Sequence, residues 1–181
     1  MGRNMKVISQ KICGMFVIRP RILFDKRGSF RRSFCKKVLK KNKIIFNVCQ
    51  GNISENLRKG TLRGFHFQKN TNIDAKILTC IRGKALNVTI DLRKKSKTYL
   101  TIQKTLLSEK NKYSLLVPSG CANAFMTLQN NTIIHYYMNN YYKKNTDIGI
   151  RYNDPIIKIK WPLKPKVISD RDLAFKNFLN K

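Results

Sequence analysis

Hydrophobic and polar residues alternate with a period of two along most of the chain. Because successive side chains of a strand point to opposite faces, this alternation predicts a protein built mainly of strands. The segments with this pattern are residues 14–19, 28–34, 44–51, 60–68, 75–82, 85–92, 99–107, 113–118, 122–128 and 132–137. Only residues 34–41 and 171–179 have a helical pattern. So many short strands at near-regular spacing favour an all-β fold, a double-stranded β-helix or jelly roll with short flanking helices.

The length and composition favour one domain with a full hydrophobic core. The chain has 181 residues, of which 42% are hydrophobic and 10% are aromatic. We therefore expect a single domain over residues 1–181 and no global disorder. No run of residues reaches the about 18 to 20 apolar positions that a membrane-spanning helix needs, and the first residues lack the apolar core of a signal peptide. The expected location is cytoplasmic, with no membrane partner.

The charge is strongly positive, since 38 Lys and Arg residues against 9 Asp and Glu residues give a net charge of +29. Such a surface attracts polyanions, and it invites a nucleic-acid interpretation. However, the sequence contains no RNA-binding aromatic stripe, no zinc knuckle and no helix-turn-helix spacing. The lysine-rich stretches 36–43 and 94–97 are predicted to be solvated loops or a short helix. We therefore expect no specific nucleic-acid partner.

Few side chains are available for a disulfide framework or a metal site. The five cysteines are widely spaced and form no Cys-x-x-Cys pair, which predicts reduced, buried thiols. His66 and His135 are the only two histidines. A metal site rich in histidine cannot be assembled from them, so no metal is expected, and a metal-dependent oxygenase is disfavoured.

The nine carboxylates are rare enough for their positions to be informative. Asp172 ends the run Ser169-Asp-Arg-Asp172, where it has two interpretations. It is either a cap of the predicted C-terminal helix or a functional acid.

The segment Gly60-Thr-Leu-Arg-Gly-Phe-His-Phe-Gln68 is the most informative part of the chain. Strict alternation on a strand places Arg63, Phe65 and Phe67 on one face. Gly64, His66 and Gln68 share the opposite face. Taken alone, His66 is most simply a hydrogen-bonded core histidine.

This segment resembles the G-x-L-R-G-h-H-h-Q signature of the dTDP-4-dehydrorhamnose 3,5-epimerase family, whose members are cofactor-free jelly rolls of the cupin type. The resemblance continues in register over about residues 12 to 178 and includes Asp25-x-Arg-Gly28, Gln50-x-Asn-x-Ser54, Lys76-Ile-Leu-Thr-Cys-Ile-Arg-Gly83, Pro118-Ser-Gly-Cys-Ala122 and Ile168-Ser-Asp-Arg-Asp172. It implies an isomerase without a cofactor that inverts C3 and C5 of a 4-keto nucleotide sugar, on the route to dTDP-rhamnose and O-antigen.

The resemblance also implies four catalytic roles. His66 matches the general base, since imidazole titrates near neutral pH and suits reversible proton abstraction. Asp172 matches the carboxylate that holds this imidazole in one tautomer. Lys76 matches the lysine at the developing enolate oxygen, and Tyr136 matches the acid on the opposite face of the sugar ring.

The implied substrate contacts are mostly basic or amide side chains. Arg27 and Arg63 match arginines that grip the diphosphate, and Arg171 is a further candidate. Gln50 and Asn52 match polar positions that contact the nucleotide or the sugar. By the same resemblance, the N-terminal strands cross to or pack on a second subunit, which implies a homodimer in which Arg27 serves the neighbouring subunit.

Two departures from the family pattern leave alternatives open. Asn123 stands where many members carry a second histidine, and Arg32 stands where rhamnose-pathway members often carry a glutamate. The alternatives are an epimerase acting at one position, a ketoisomerase acting on another 4-keto nucleotide sugar, and a catalytically decayed scaffold that binds polyanions.

Overall fold

The alternating segments form most of the strands in the structure, a computed structural model that describes residues 5–68, 73–144 and 146–178. The strands in these ranges are β1 Met5–Ser9, β2 Phe16–Pro20, β3 Ile22–Asp25, β4 Gly28–Arg31, β5 Gln50–Asn56, β6 Leu62–Gln68, β7 Lys76–Arg82, β8 Lys84–Asp91, β9 Ile102–Ser108, β10 Ser114–Val117, β11 Cys121–Thr127, β12 Thr132–Met138 and β13 Asp147–Gly149. The helices are α1 Lys36–Lys41 and α2 Asp170–Leu173.

Two antiparallel sheets face each other and enclose the main core. One sheet has the order β1-β2-β10-β7-β12-β5, and the other has the order β13-β6-β11-β8-β9. Alternate residues of both sheets, such as Leu78, Leu115, Phe125 and Ile134, meet between them and are buried. The remaining pair, β3 and β4, forms a separate hairpin. The predicted all-β jelly roll with short helices is confirmed.

The outer faces of both sheets are covered by connecting segments. Leu39 of α1 and Phe46 pack against Ile18, Ile77 and Leu116 on the outer face of the six-stranded sheet. On the five-stranded sheet, Phe65 and Val88 are covered by residues of the C-terminal segment, among them Ile157 and Trp161. This covering segment matters for the site because it brings α2 against β6.

The prediction of a strand over residues 44–51 is wrong for most of its length, because the strand runs over Gln50–Asn56. The apolar residues before it include Phe46, which is buried on the outer sheet face without belonging to a strand. Alternation in this segment therefore reflects a covering segment rather than a sheet. The short strands β1, β3 and β13 were not predicted.

The prediction of a helix over residues 171–179 is also wrong beyond Leu173, and its last residue lies outside the described ranges. Tertiary hydrogen bonds take the backbone out of the helix: the carbonyl of Lys176 accepts from the N–H of Arg151, and the N–H of Phe178 donates to Asp154 Oδ2. Tertiary partners thus override the local helical pattern.

The five cysteines are free, but the prediction that all are buried is wrong. Cys80 and Cys121 are buried, Cys35 is half-buried, and Cys13 and Cys49 are exposed. Of the described residues, no helix has the length and apolar character to cross a bilayer.

Candidate active site

The site begins with an irregularity where β6 pairs with β11. Asn123 lies opposite His66 and Phe125 lies opposite Arg63, so three steps on β6 match two steps on β11. Because this bulge breaks the alternation, Arg63 and His66 line the same cavity. The prediction that they occupy opposite faces is therefore wrong.

Gly64 lies inside this bulge, with φ +118°. A Cβ atom at this position would lie 2.6 Å from the carbonyl oxygen of Asn123 and 2.7 Å from Cα of Ala124. Only glycine therefore allows β6 to approach β11 this closely.

His66 and Asp172 form a hydrogen-bonded pair between β6 and α2. His66 Nε2 lies 2.8 Å from Asp172 Oδ1, and the N–H of Gly64 donates to Asp172 Oδ2 at 2.8 Å. The carboxylate side chain is 4% exposed and the imidazole 29% exposed. Burial opposes ionisation of Asp172, but the hydrogen bond and charge of His66, together with bonds from Gly64 and Ser169, lower its pKa overall. An ionised carboxylate only accepts, so the proton lies on Nε2 and the lone pair on Nδ1 of His66.

Short-range contacts around α2 hold this pair in place. The N-cap is Ser169, whose side chain accepts from the N–H of Asp172 at 3.2 Å. The alternative in which Asp172 caps the helix is therefore wrong, and its carboxylate is available to His66. On another side, the ring of Phe175 meets His66 edge-on at 5.6 Å between centroids. Phe175 fills the space that a side chain at Gly149 would need.

A cavity of about 280 Å³ opens between the two sheets beside this pair. Its lining comprises Ile53, Ser54, Glu55, Arg63, His66, Lys76, Leu78, Asn123, Phe125 and Tyr136. The structure thus brings together three of the four predicted catalytic side chains in one cavity, and Asp172 reaches it through His66.

Lys76 and Tyr136 lie on the six-stranded sheet, across the cavity from the strands that carry His66. Lys76 pairs with Met138, and Tyr136 pairs with Leu78, so the two side chains are near neighbours on the inner face. Lys76 is 17% exposed, and its Nζ lies 3.4 Å from Oδ2 of the buried Asp74. Burial raises the pKa of Tyr136, the charge of Arg63 lowers it, and the carboxylates of Asp74 and Asp147 raise it further. The phenol is therefore protonated at neutral pH and can donate.

Asp74 was missed as a functional candidate by the sequence analysis. A usable signal was present, because it is one of only nine carboxylates and lies two positions before Lys76. Sequence spacing alone did not reveal that its side chain is buried beside the ammonium group.

The predicted substrate-binding residues divide into four groups by position. Arg63 lines the cavity and donates from Nε to Asn56 Oδ1 at 2.8 Å. Asn52 lies on β5 opposite Tyr136 and Gln50 lies opposite Met138, with Gln50 Nε2 donating to Asn52 Oδ1 at 2.9 Å. Neither belongs to the cavity lining.

Arg171 lies in a second hollow, of about 270 Å³, which also includes Arg63, His66 and Asp172. Its guanidinium donates to Asp147 and lies over the ring of Phe175. The two hollows share Arg63 and His66 in their lining, and the second adds Arg171 as a further basic group.

Arg27 is not brought to either hollow of its own chain. It lies in the turn of the β3–β4 hairpin, where it is 89% exposed and pairs with Asp25 at 2.6 Å. Its predicted role in a neighbouring subunit stays a prediction. In the part of the chain that the structure describes, no three His, Cys, Asp or Glu side chains are grouped so that they could hold a metal ion.

The chain matches one family of known proteins over nearly its whole length. The sequence model of a family described as dTDP-4-dehydrorhamnose 3,5-epimerase matches residues 9–180. A curated dTDP-4-dehydrorhamnose 3,5-epimerase of Shigella flexneri is 34% identical over 97% of this chain and 97% of its own length.

Solved structures agree with the sequence matches. A dTDP-4-dehydrorhamnose 3,5-epimerase of Bacillus anthracis, with TDP and PPi bound, has a TM-score of 0.93 and 36% identity, covering 96% of this chain and 99% of that one. An epimerase of Legionella pneumophila, in complex with dTDP-4-keto-L-rhamnose, has a TM-score of 0.90 and 32% identity, covering 97% of this chain and 93% of that one.

Proposed function

Because this chain belongs to the dTDP-4-dehydrorhamnose 3,5-epimerase family, we propose that it converts dTDP-4-dehydro-6-deoxyglucose, or a closely similar 4-keto nucleotide sugar, by inverting C3 and C5. The reaction makes the protein an isomerase that needs no cofactor. One observation carries the proposal: the His66–Asp172 pair faces a cavity that also holds Lys76 and Tyr136.

The reaction starts with removal of a proton next to the carbonyl group. The C4 carbonyl acidifies the hydrogens on C3 and C5, and a base within hydrogen-bond reach can remove each of them. His66 Nδ1 carries the lone pair for this step, since Nε2 donates to Asp172. The charge of Asp172 then stabilises the imidazolium that forms.

The negative charge that develops on the C4 oxygen needs a cation close by. Lys76 is the candidate, because its ammonium group lies in the cavity and is mostly shielded from solvent. Charge stabilisation is worth more in such a site than in water. The carboxylate of Asp74, 3.4 Å away, forms an ion pair with this ammonium group.

Inversion requires that the proton return from the other face of the sugar ring. Tyr136 lies on the opposite sheet from His66, and its raised pKa keeps a proton on the phenol. We assign it as the acid. His66 and Tyr136 thus act on opposite faces of the enolate.

The anionic part of the substrate has a basic path beside the cavity. A nucleoside diphosphate carries about two negative charges, and guanidinium groups bind phosphate oxygens in a bidentate way. Arg63 and Arg171 are our assignment for the diphosphate, with Gln50 and Asn52 for the sugar or nucleotide.

The proposal also includes the oligomeric state of the protein and its location in the cell. We propose a homodimer in which Arg27, on the exposed β3–β4 hairpin, reaches the site of the other subunit. Sedimentation of the purified protein as a monomer would contradict it. The single-domain organisation over residues 1–181 and a cytoplasmic location also stay predictions.

The test is deuterium exchange followed by NMR, with a panel of dTDP-, CDP- and GDP-4-keto-6-deoxy sugars in D₂O. We expect exchange at both C3 and C5 and loss of both in His66→Ala. The matched control is His135→Ala, because this second histidine lies on the outer face of β12, edge-on to Tyr137, away from the cavity. Full exchange in His66→Ala would refute the base, and exchange at one carbon only would establish the single-position alternative.

A further inference from the structure

The five-stranded sheet presents an amide to the cavity immediately beside the base. Asn123 lies on β11, directly opposite His66 on β6. Its side chain lines the cavity, although the residue is only 7% exposed. The amide therefore lies beside the base, at the wall of the cavity.

The orientation of this amide is determined by its neighbours in the sheet. Asn123 Nδ2 lies 3.0 Å from Asn87 Oδ1, and 3.4 Å from both the Val88 carbonyl oxygen and Thr89 Oγ1. A backbone carbonyl only accepts, so the nitrogen of the amide, not its oxygen, must face Val88. Asn87 and Thr89 are fully buried, which holds the amide in one orientation.

The oxygen of the same amide has no partner within the protein. No donor in residues 5–68, 73–144 or 146–178 reaches Asn123 Oδ1. Since the amide is planar and its nitrogen points into the sheet, the oxygen points into the cavity. An acceptor that no protein donor occupies is open to a hydrogen bond from a ligand in the cavity.

We propose that Asn123 is a specificity-determining residue whose Oδ1 accepts a hydrogen bond from the C3 hydroxyl of the 4-keto sugar. This inference rests on the proposed function. The C3 hydroxyl is bonded to a carbon from which His66 removes a proton. We assign this hydroxyl because its carbon is one that His66 deprotonates, and Asn123 lies directly opposite His66. The amide does not titrate, so this contact is independent of pH.

The experiment compares the 4-keto-6-deoxy sugar nucleotide with its 3-deoxy analogue. The rate of deuterium exchange at C5 can be measured for both sugars, because the analogue keeps the C5 hydrogen. We expect the unsubstituted protein to prefer the hydroxylated sugar by about 10-fold to 100-fold in kcat/KM. In Asn123→Ala this preference should fall below about 3-fold. The control is Ser54→Ala, a change at a cavity-lining hydroxyl of the other sheet, which should keep the preference.

Each other outcome decides against the inference. Equal use of the two sugars by the unsubstituted protein overturns it without any variant, even if Asn123→Ala does not fold. A preference that survives in folded Asn123→Ala, or that follows a 2-deoxy analogue instead, overturns the assignment to the C3 hydroxyl. In those cases the proposed function stands, whereas no exchange with any sugar would refute the proposed function as well.

Discussion

Asp172→Asn removes one charge from the site and preserves the shape of the side chain. The N–H of Gly64 donates to one oxygen of Asp172, so the remaining oxygen of the asparagine must stay at that position. The new amide nitrogen then faces His66 Nε2, which has to accept instead of donate. The ring proton is driven to Nδ1, where the base needs its lone pair. The substitution therefore selects the wrong tautomer and also removes the partner of the imidazolium.

The size of the effect follows from the distance between the two groups. Unit charges 2.8 Å apart attract by about 6 kcal/mol at an effective dielectric constant of about 20. Because the imidazole is 29% exposed, we take about half of this value, which is about 10²-fold in rate. The tautomer change adds to it, and an Asp-to-Asn change in a serine-protease triad slows catalysis about 10⁴-fold. We expect exchange at C3 and C5 to be about 10² to 10⁴ times slower.

The assay is the rate of deuterium exchange at C3 and C5 under saturating substrate, with thermal unfolding to verify the fold. Asp170→Asn is the matched control, because Asp170 belongs to the same helix and has an exposed side chain. It should exchange at the unsubstituted rate. If folded Asp172→Asn exchanges within about tenfold of the unsubstituted protein, the pair does not work as described, since tenfold is only about 1.4 kcal/mol.

Further predictions concern the acid, the bulge and a buried ion pair. Tyr136→Phe should slow inversion of the sugar by about 10²-fold or more, while His66 still exchanges the C3 and C5 hydrogens with solvent deuterium. The product is followed by NMR, and formation of the inverted sugar at an unchanged rate would contradict this prediction. Gly64→Ala should cost more than about 2 kcal/mol in the free energy of unfolding by denaturant, whereas Gly51→Ala, where a Cβ would meet only the Tyr137 ring at 3.8 Å, should cost far less. Burial opposes ionisation of Asp91, but hydrogen bonds from Arg93, Ser96 and Thr98 bring its pKa well below the usual range. Its stabilisation is therefore present above the ordinary value of 3.8 and is lost as the pH falls through the lower folded value. Asp91→Asn should cost about 3 kcal/mol at pH 7 and should weaken the acid dependence of unfolding; an unchanged acid profile would contradict this.

The alternation of the sequence was sufficient to predict the sheets but not their irregularities. Strands β8 and β11, which are buried along most or all of their length, were predicted within a few residues. The short strands β1, β3 and β13 have three to five residues each, too few for a period of two to be distinguished from chance. Their strand structure depends on neighbours that the local sequence does not specify.

The geometry of the site was less predictable than its composition. Of the site residues that the family resemblance implied, Arg63, His66, Lys76 and Tyr136 line the cavity, but strict alternation placed Arg63 and His66 on opposite faces. The β6 bulge that unites them arises because Gly64 lets β6 come close to Asn123 and Ala124 of another strand. Such a contact between distant segments leaves no periodic signal, and neither does the burial of Asp74 beside Lys76.

The few carboxylates of this strongly basic chain supply the negative charges that pair with Lys76 and His66 at the site. Four of the nine carboxylates are buried, Asp74, Asp91, Asp154 and Asp172, although ionisable residues are seldom buried without partners. Asp91 and Asp154 accept several hydrogen bonds in turns and are structural. The other two each pair with a side chain that lines the cavity, Asp74 with Lys76 and Asp172 with His66. The general excess of lysine on the surface cannot orient a base or hold one ammonium group in place, because exposed charges are screened. Two buried carboxylates can do both, so the function that we propose depends on the scarce acidic residues rather than on the abundant basic ones.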